Sequence, residues 1–395
     1  MKENKTKPDI RFKGFTEAWE QRKFSDLVTI ERGGSPRPID KYITNDKNGL
    51  NWIKIGDAPE QGNYITQTAE KIKPEGLAKT REVHPGDLIL SNSMSFGRPY
   101  IMAIDGCIHD GWLAIRDTEK NFDLKFLCTL LGTDNMLNQY KSMAAGSTVN
   151  NLNKELVGGT KVLLPIMNEQ VQIGQYFSQI DNLITLHQRE CDQLKELKKS
   201  MLKKMFPRDG SSIPEVRFAG FTDAWEQRKF GELLNETRDK TTIEDEDILL
   251  SCAIDGMFLN SELFSHFRGS SNIGYLKIKK NNLILSAQNL HLGNCNVNLR
   301  FEHGIISPAY KVYELVECNP LFMQAWVKQD TTKEFFLRAS TEGASVCRKN
   351  IVWEELYKQT LPVPKIDEQE KIGEYFASLD NLITLHQRNY NSLIS

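Results

Sequence analysis

Apolar residues follow a heptad pattern through residues 168–206. This stretch contains one glycine and no proline. Its apolar positions on one face include Ile173, Phe177, Ile180 and Ile184. Spacing of three and four residues is typical of a helix that packs against another helix. The pattern therefore predicts a long coiled-coil helix of at most roughly 55 Å, at 1.5 Å per residue.

The heptad pattern returns in the last part of the chain. It begins again at Glu368 and stops at Ser395. A counterpart of ECDQLKELKKSMLKKMF, at residues 190–206, does not follow it. The second helix is therefore predicted to be much shorter than the first, which limits how fully the two can pair.

Short apolar runs alternate with turn residues ahead of each predicted helix. The runs lie at 51–57, 84–93, 112–117, 276–289 and 309–315. Gly-Asp and Pro-Gly pairs separate them, which favours strands joined by turns. One helix is predicted within each region, at about 122–142 and 319–339. The predicted fold class is α/β (α+β), with two mixed globular domains alternating with long helices.

Two blocks of sequence occur twice in the chain. RFKGFTEAWEQRKF at 11–24 returns as RFAGFTDAWEQRKF at 217–230, and IGQYFSQIDNLITLHQR at 173–189 returns as IGEYFASLDNLITLHQR at 372–388. The sequences between the blocks differ. A repeated frame around unlike inserts is expected when two copies of a module act on two different ligands. Drift of an unconstrained insert is the alternative, but it does not explain why near-identity is confined to the flanks.

Charge and composition narrow the class of protein. A length of 395 residues with 39% hydrophobic residues allows two or three globular cores. The net charge of −2 is unusual for a self-sufficient nucleic-acid binder, so cations must be concentrated locally or supplied by a partner chain. A polar N-terminus and the lack of an apolar run of about 18 residues predict a cytoplasmic location.

The sequence carries no recognisable catalytic motif. A phosphate-binding loop, the Pro-Pro-aromatic motif of amino-methyltransferases and a nuclease-like acidic cluster are all missing. Seven scattered cysteines without a CxxC pair predict free thiols, and we predict no metal site, with His187 and His386 packed in the helical seam. A stand-alone hydrolase is the alternative, but no carboxylate pair supports it. We therefore predict no catalytic residue.

The order of motifs resembles the specificity subunit of type I restriction–modification enzymes over essentially the whole chain. The motifs are GDLILS at 86–91, GSTVNNLNK at 146–154 and a Leu-Pro segment leading into Glu169-Gln170 and the long helix. In that family each insert is a target-recognition domain that reads half of a split DNA site, and helices set the spacing. The resemblance implies target-recognition domains at 1–165 and 211–364, a central spacer helix at 166–210 and a short C-terminal spacer helix at 365–395.

The resemblance also implies partners and cofactors. The partners are double-stranded DNA, two modification (adenine methyltransferase) subunits and restriction (translocase/endonuclease) subunits. The complex would use S-adenosylmethionine for methylation and ATP and Mg²⁺ for translocation and cleavage, with no cofactor bound by this chain. A structural adaptor that docks methyltransferase subunits without its own sequence readout is the alternative.

Candidate DNA contacts lie in paired polar loops of the two inserts. Arg, Lys, Asn, Gln, Ser and Thr match base edges and phosphates, especially on loops held by a scaffold. In the first insert the candidates are Arg32, Ser35, Arg37, Ser91, Asn92, Ser93, Arg98, Ser147, Thr148, Asn150, Asn151 and Lys154. In the second insert they are Ser286, Gln288, Asn289, Ser345, Arg348, Lys349 and Asn350. For each single residue, an ordinary polar turn is the alternative.

The repeated blocks are predicted to serve as scaffold or partner-docking surface. Because they are nearly identical while the two DNA targets should differ, they are poor candidates for base reading. Tryptophan and apolar seam residues are typical interface anchors. The candidate docking residues are Trp19, Phe177, Ile184, Trp225, Phe376 and Ile383.

Overall fold

The computed structural model describes residues 7–92, 96–144, 152–208, 210–264, 271–341 and 349–394. The chain divides into two compact units, unit 1 with residues 1–187 and 393–395, and unit 2 with residues 188–392. The boundary falls inside the first long helix. Each unit therefore holds one insert, and unit 2 also holds the rest of the first long helix and most of the C-terminal one. The predicted borders near 165, 210 and 364 stay a prediction.

Unit 1 combines short strands with helices. Its strands are β1 Glu20–Lys23, β2 Thr29–Arg32, β3 Ile43–Thr44, β4 Leu50–Ile53, β5 Tyr64–Ile65, β6 Glu70–Ile72, β7 Arg81–Val83, β8 Leu88–Ser91, β9 Pro99–Met102, β10 Gly106–Ile108, β11 Trp112–Arg116 and β12 Lys161–Leu164. Its helices are α1 Leu124–Leu131, α2 Asp134–Ala144, α3 Lys154–Gly158 and the first part of α4 Met167–Lys204. The larger sheets have strand orders β3-β6-β4-β10-β7 and β2-β11-β8-β9-β5.

Unit 2 repeats this organisation with different details. Its strands are β13 Glu226–Lys229, β14 Leu234–Thr237, β15 Leu250–Ala253, β16 Gly256–Leu259, β17 Leu276–Lys279, β18 Leu283–Ser286, β19 Cys295–Val297, β20 His303–Ile306, β21 Tyr310–Leu315 and β22 Thr360–Val363. Its helices are α5 Asn260–Leu263, α6 Pro320–Val327, α7 Asp330–Arg338, α8 Trp353–Lys358 and α9 Ile366–Ile394, in addition to the second part of α4. The strand order β14-β21-β18-β19 matches β2-β11-β8-β9 of unit 1.

A two-stranded antiparallel ribbon closes each insert. In unit 1, β1 pairs with β12, with Lys23 opposite Lys161. In unit 2, β13 pairs with β22, with Lys229 opposite Thr360. The first and last strands of each insert are hydrogen-bonded to each other. Each insert therefore begins and ends at the same place on the frame, which consists of the repeated blocks and the long helix.

The repeated blocks bind each insert to its long helix in the same way. Gln170 accepts a hydrogen bond from the backbone N–H of Asp123 at 3.0 Å and donates to the carbonyl oxygen of Pro165. Gln369 does the same with Asn319 at 2.7 Å and with Pro364. The carboxylate of the preceding glutamate is also engaged in both units. These buried amides and acids explain why the Glu-Gln pair recurs without change.

An arginine of each RFxGFT segment forms a bidentate ion pair with that glutamate. Arg11 donates to both carboxylate oxygens of Glu169, at 2.6 and 2.7 Å. Arg217 donates to Glu368 at 2.6 and 2.8 Å, and this glutamate side chain is only 2% exposed. The segment is therefore fastened to the first turn of α4 or α9, which supports a scaffold role for the repeat.

The predicted elements are largely confirmed. The long helices run over Met167–Lys204 and Ile366–Ile394, and the predicted mixed α/β composition is present in both units. The single helices expected at 122–142 and 319–339 were wrong, because each segment forms two helices. Gly132 ends α1 by donating its N–H to the carbonyl oxygens of the last turn, and a separate helix starts at Asp134.

The cysteines of the described residues are buried thiols. Six cysteines within the described ranges are free and buried, whereas Cys347 lies outside them. Burial raises the pKa of Cys107 to about 11 and that of Cys128 to about 12. No helix in the described part of the chain combines the length and the apolar character that crossing a bilayer requires.

Candidate nucleic-acid interface

The predicted loops of the first insert converge on Asp110, in the turn between β10 and β11. Ser35 donates its hydroxyl to the Asp110 carboxylate at 2.9 Å, and Arg37 Nη2 lies 4.0 Å from the other carboxylate oxygen. The amide of Asn92 donates to the Asp110 carbonyl oxygen at 2.8 Å. Arg32 Nε donates to the same carbonyl oxygen at 3.4 Å. Residues distant in sequence thus form one polar cluster, which we call the Asp110 cluster.

Sheet pairing explains this convergence. Strand β11 lies between β2 and β8, so the ends of these strands meet at one edge. Gly33 and Gly34 sit where the backbone approaches too closely for a side chain. A Cβ on Gly33 would lie 2.2 Å from the carbonyl oxygen of His109, and one on Gly34 would lie 2.4 Å from that of Lys79. The Gly-Gly pair therefore serves packing and fixes where Ser35 and Arg37 project.

Ser91 and Asn92 are buried, although both were predicted to contact DNA. The backbone N–H of Ser91 donates to the carbonyl oxygen of Arg98, and that of Asn92 donates to Gly111. The Asn92 carbonyl oxygen accepts from the N–H of Leu152 at 3.0 Å. The two residues thus connect the Ser91–Arg98 loop to the segment that begins at Leu152, and the buried Asn92 amide positions the Asp110 turn.

His109 belongs to the cluster but was missed in the sequence analysis. Its Nδ1 accepts from the N–H of Gly111, and its Nε2 lies 2.9 Å from the Asp110 carboxylate. Burial lowers the pKa of His109 despite this neighbouring carboxylate. The ring is therefore neutral at pH 7 and donates from Nε2. A His-Asp-Gly turn between two apolar strands was the available signal, but the sequence did not show which loops it would meet.

The matching loops of unit 2 are also brought together. The N–H of Lys349 donates to the carbonyl oxygen of Gln288 at 3.2 Å. Ser286 is buried, and its hydroxyl accepts from the N–H groups of Gln288 and Asn289. Ser286 therefore shapes the turn, while Gln288 and Asn350 are exposed.

A second cationic group of unit 2 was missed. Lys311 Nζ lies 3.3 Å from Glu236 and 4.3 Å from the centre of the Trp353 ring. Arg238 donates to the same glutamate at 2.8 Å, and this hydrogen bond, together with Lys311, lowers the pKa of Glu236. Unit 1 has a related pairing, because Glu31 of β2 lies 3.3 Å from Arg116 and 3.7 Å from Arg81, but in unit 2 the cation Lys311 also lies over an aromatic ring.

The remaining candidates fall into two groups. Arg98 donates to the Gly62 carbonyl oxygen and lies over the Tyr100 ring, and Lys154 is exposed at the start of α3. The candidates outside the described residues are Ser93, Ser147, Thr148, Asn150, Asn151, Ser345 and Arg348.

The candidate docking residues differ in burial between the two units. Trp225, Phe376 and Ile383 are buried within unit 2. Trp19 and Ile184 are half-buried, and Phe177 is exposed, in unit 1. Equivalent positions of the repeat therefore offer a partner very different surfaces.

Comparisons with known proteins agree with this architecture. Residues 16–196 match the family model described as the type I restriction modification DNA specificity domain. The chain is similar to two proteins of Methanocaldococcus jannaschii, the putative type I restriction enzyme MjaX specificity subunit and the MjaVIII specificity subunit. The first is 24% identical, covering 94% of this chain and 89% of the relative. The second is 23% identical, covering 94% and 88%.

A solved structure shares the fold of this chain. It is the crystal structure of the type I restriction–modification S subunit from M. genitalium, with a TM-score of 0.59, 14% identity and coverage of 95% of this chain and 93% of that one. The repeated frame, the paired inserts and these matches lead to one conclusion: residues 16–196 match a type I DNA specificity domain, and the chain as a whole is similar to type I restriction–modification specificity subunits.

Proposed function

We propose that this chain selects the DNA sequence on which a type I restriction–modification complex acts, and that each insert reads one half of a split target. The observation that carries the proposal is that similar frames hold unlike polar loops. Unit 1 gathers Arg32, Arg37 and Asp110, whereas unit 2 offers Gln288 and Lys349. Donors and acceptors on loops held by a rigid scaffold are what reading base edges requires.

The chemistry of the complex is assigned to other chains. We propose that two modification subunits dock on this chain and methylate adenine with S-adenosylmethionine. Restriction subunits would add ATP- and Mg²⁺-dependent translocation and cleavage, and this chain would itself be non-catalytic. With a net charge of −2, the chain should leave part of the phosphate binding to these partners, because phosphate neutralisation dominates affinity for DNA.

Methylation mapping tests the proposal directly. The chain is expressed with its modification partner in a host, and methylated adenines are mapped across the genome. We expect one split motif, and substitutions in the Asp110 cluster should alter the bases in one half of it only. If such substitutions changed the amount of methylation but never its sequence, the chain would be an adaptor without readout.

Arg37 offers a quantitative test of phosphate contact. Its side chain is 75% exposed and is held beside Asp110. We expect Arg37→Ala, in complex with the modification partner, to weaken binding to all duplexes and to reduce the slope of log K against log salt by about one. Fluorescence anisotropy at several salt concentrations measures this slope.

The matched control for Arg37→Ala is Lys120→Ala. Lys120 is an exposed cation in the turn beyond the opposite end of β11. This variant should bind with the slope of the unchanged chain. Equal slopes for both variants would show that Arg37 does not contact phosphate.

A further inference from the structure

Unit 2 contains a groove with a strong excess of positive charge. The groove has a volume of about 830 Å³ and lies between the second part of α4, the first turn of α7 and α9. Seven lysine or arginine side chains line it, against three aspartates. The chain as a whole carries a net charge of −2. The groove is therefore a place where cations are concentrated locally.

The second part of α4 supplies a row of lysines along one side of the groove. Lys195, Lys199 and Lys203 follow one another at intervals of four residues, and all three are exposed. Residues with this spacing lie on one face of a helix. Among the described residues, no carboxylate forms an ion pair with any of the three. The neighbouring Lys198, in contrast, donates to Asp380 at 2.5 Å and holds α4 against α9.

The end of a helix attracts lysines, but this effect explains only one of the three. A cation in the last turn interacts favourably with the helix dipole, and the effect falls off beyond that turn. Lys203 lies in the last turn of α4, whereas Lys195 and Lys199 precede it. The two earlier lysines therefore require another explanation.

The opposite side of the groove holds polar groups that are only partly satisfied. Lys328 is half-buried, and its ammonium donates to the carbonyl oxygens of Ile254 at 2.7 Å and Cys295 at 3.1 Å rather than to a carboxylate. Gln329 is 8% exposed, and its amide nitrogen has no hydrogen-bond partner among the described residues. Buried charges and donors without a partner are costly. An anion in the groove would lower this cost.

The groove adjoins a loop of unit 2 that we predicted to contact DNA. Gly293 lines the groove and belongs to the same loop as Gln288 and Asn289. A Cβ on Gly293 would lie 3.4 Å from Cε of Lys333, so this lysine of α7 packs against the loop. The predicted base-reading loop and the cations are thus neighbours on one surface of unit 2.

We propose that this groove binds the phosphate backbone of double-stranded DNA beside the half-site that unit 2 reads. Lys195 and Lys203 are about 12 Å apart along α4, at 1.5 Å per residue. This distance corresponds to about three or four base-pair steps of a duplex, whereas a free phosphate ion would occupy only one position. The contacts would add affinity without selecting bases, because backbone contacts carry no sequence information directly. The identity of the ligand rests on the proposed function.

The salt dependence of DNA binding tests this groove. The variant Lys195→Gln, Lys199→Gln, Lys203→Gln removes three charges and keeps a similar helix propensity. In complex with the modification partner, it is titrated into labelled duplexes with and without the split motif, and fluorescence anisotropy is recorded at several salt concentrations. Each lost phosphate contact lowers the slope of log K against log salt by about 0.9. We expect a slope smaller by about two to three, with the same loss of affinity for both duplexes.

The matched control is the variant Lys240→Gln, Lys279→Gln, Lys371→Gln. These three lysines of unit 2 are exposed and lie outside the lining of the groove. The control loses the same net charge as the groove variant and should keep the slope of the unchanged chain. Far-ultraviolet circular dichroism and sedimentation should show that both variants are folded and assemble with the modification partner.

Three results would overturn the proposal. The first is an unchanged slope for the groove variant. The second is an equal reduction for the control, which would assign the effect to net charge and not to the groove. The third is loss of the modification partner from the groove variant alone, because an acidic segment of that partner would then be the occupant.

Methylation mapping of the groove variant separates this proposal from the proposed function. A single split motif together with an unchanged slope would contradict only the phosphate groove. A reduced slope in a chain that methylates without any sequence preference would contradict only the reading of bases.

Discussion

A chain with the first insert in both frames should methylate a target whose two halves have the same sequence. The exchange replaces residues 231–359 with residues 25–160. Both inserts begin and end on a two-stranded ribbon, where Phe24 donates its N–H to Thr160 and Phe230 donates to Gln359. The ends of the two inserts are therefore interchangeable, and the second half-site should be lost completely.

The contacts of the insert with its frame also support this exchange. Phe126 lies edge-on to Trp19, with ring centres 6.4 Å apart, and Phe322 lies against Trp225 at 5.9 Å. The backbone N–H of Asp123 donates to the side-chain oxygen of Gln170, and that of Asn319 donates to Gln369 in the same way. The transferred insert should therefore dock on Trp225 and Gln369 as it does on its own frame.

Methylation mapping in a host measures the outcome of the exchange. The control is the reverse exchange, with the second insert in both frames, which should yield the other half-site twice. A motif in which both halves were new, or in which the second half persisted, would contradict the modular model. If neither exchanged chain accumulated as folded protein, the inserts and the frames would not be independent of each other.

Arg217→Ala should lower the free energy of unfolding of unit 2 by about 3 to 5 kcal/mol, the range for removing one partner of a buried ion pair. The carboxylate of Glu368 would lose two charge-assisted hydrogen bonds while remaining buried beneath the RFAGFT segment. Denaturant unfolding followed by tryptophan fluorescence and by far-ultraviolet circular dichroism measures the change.

Two controls separate the ion pair from other effects of the substitution. Arg11→Ala removes the equivalent donor of Glu169 and should destabilise unit 1 instead. The double variant Arg217→Met, Glu368→Leu removes both charges and keeps most of the volume, so it should recover most of the lost stability. A double variant as unstable as Arg217→Ala would show that the lost packing, and not the unpaired carboxylate, is responsible.

Local periodicity was sufficient to predict the long helices and the central strands. The heptad spacing of α4 and the apolar residues of Leu88–Ser91 can each be recognised from the sequence of that segment alone. The repeat likewise predicted that frames and inserts would differ in role, because near-identity in the flanks needs no knowledge of contacts. The family resemblance rested on these same local features.

The pairing of strands that are distant in sequence determined which side chains of the polar loops meet and which become buried. Ser35, Asn92 and Asp110 meet only because β11 lies between β2 and β8. For the same reason, the sequence could not show that Ser91 and Asn92 would be buried while Arg37 remained exposed. Asp110 and His109 were missed because their importance comes from neighbours that are distant along the chain.

The burial of side chains on the repeated helices was the feature that the sequence could predict least. DNLITLHQR is identical in the two copies, yet Ile383 is buried and Ile184 is only half-buried. No property of these nine residues can account for the difference. It arises because the second part of α4 packs on α9 in unit 2, and burial depends on what a fold places against a side chain rather than on the side chain itself.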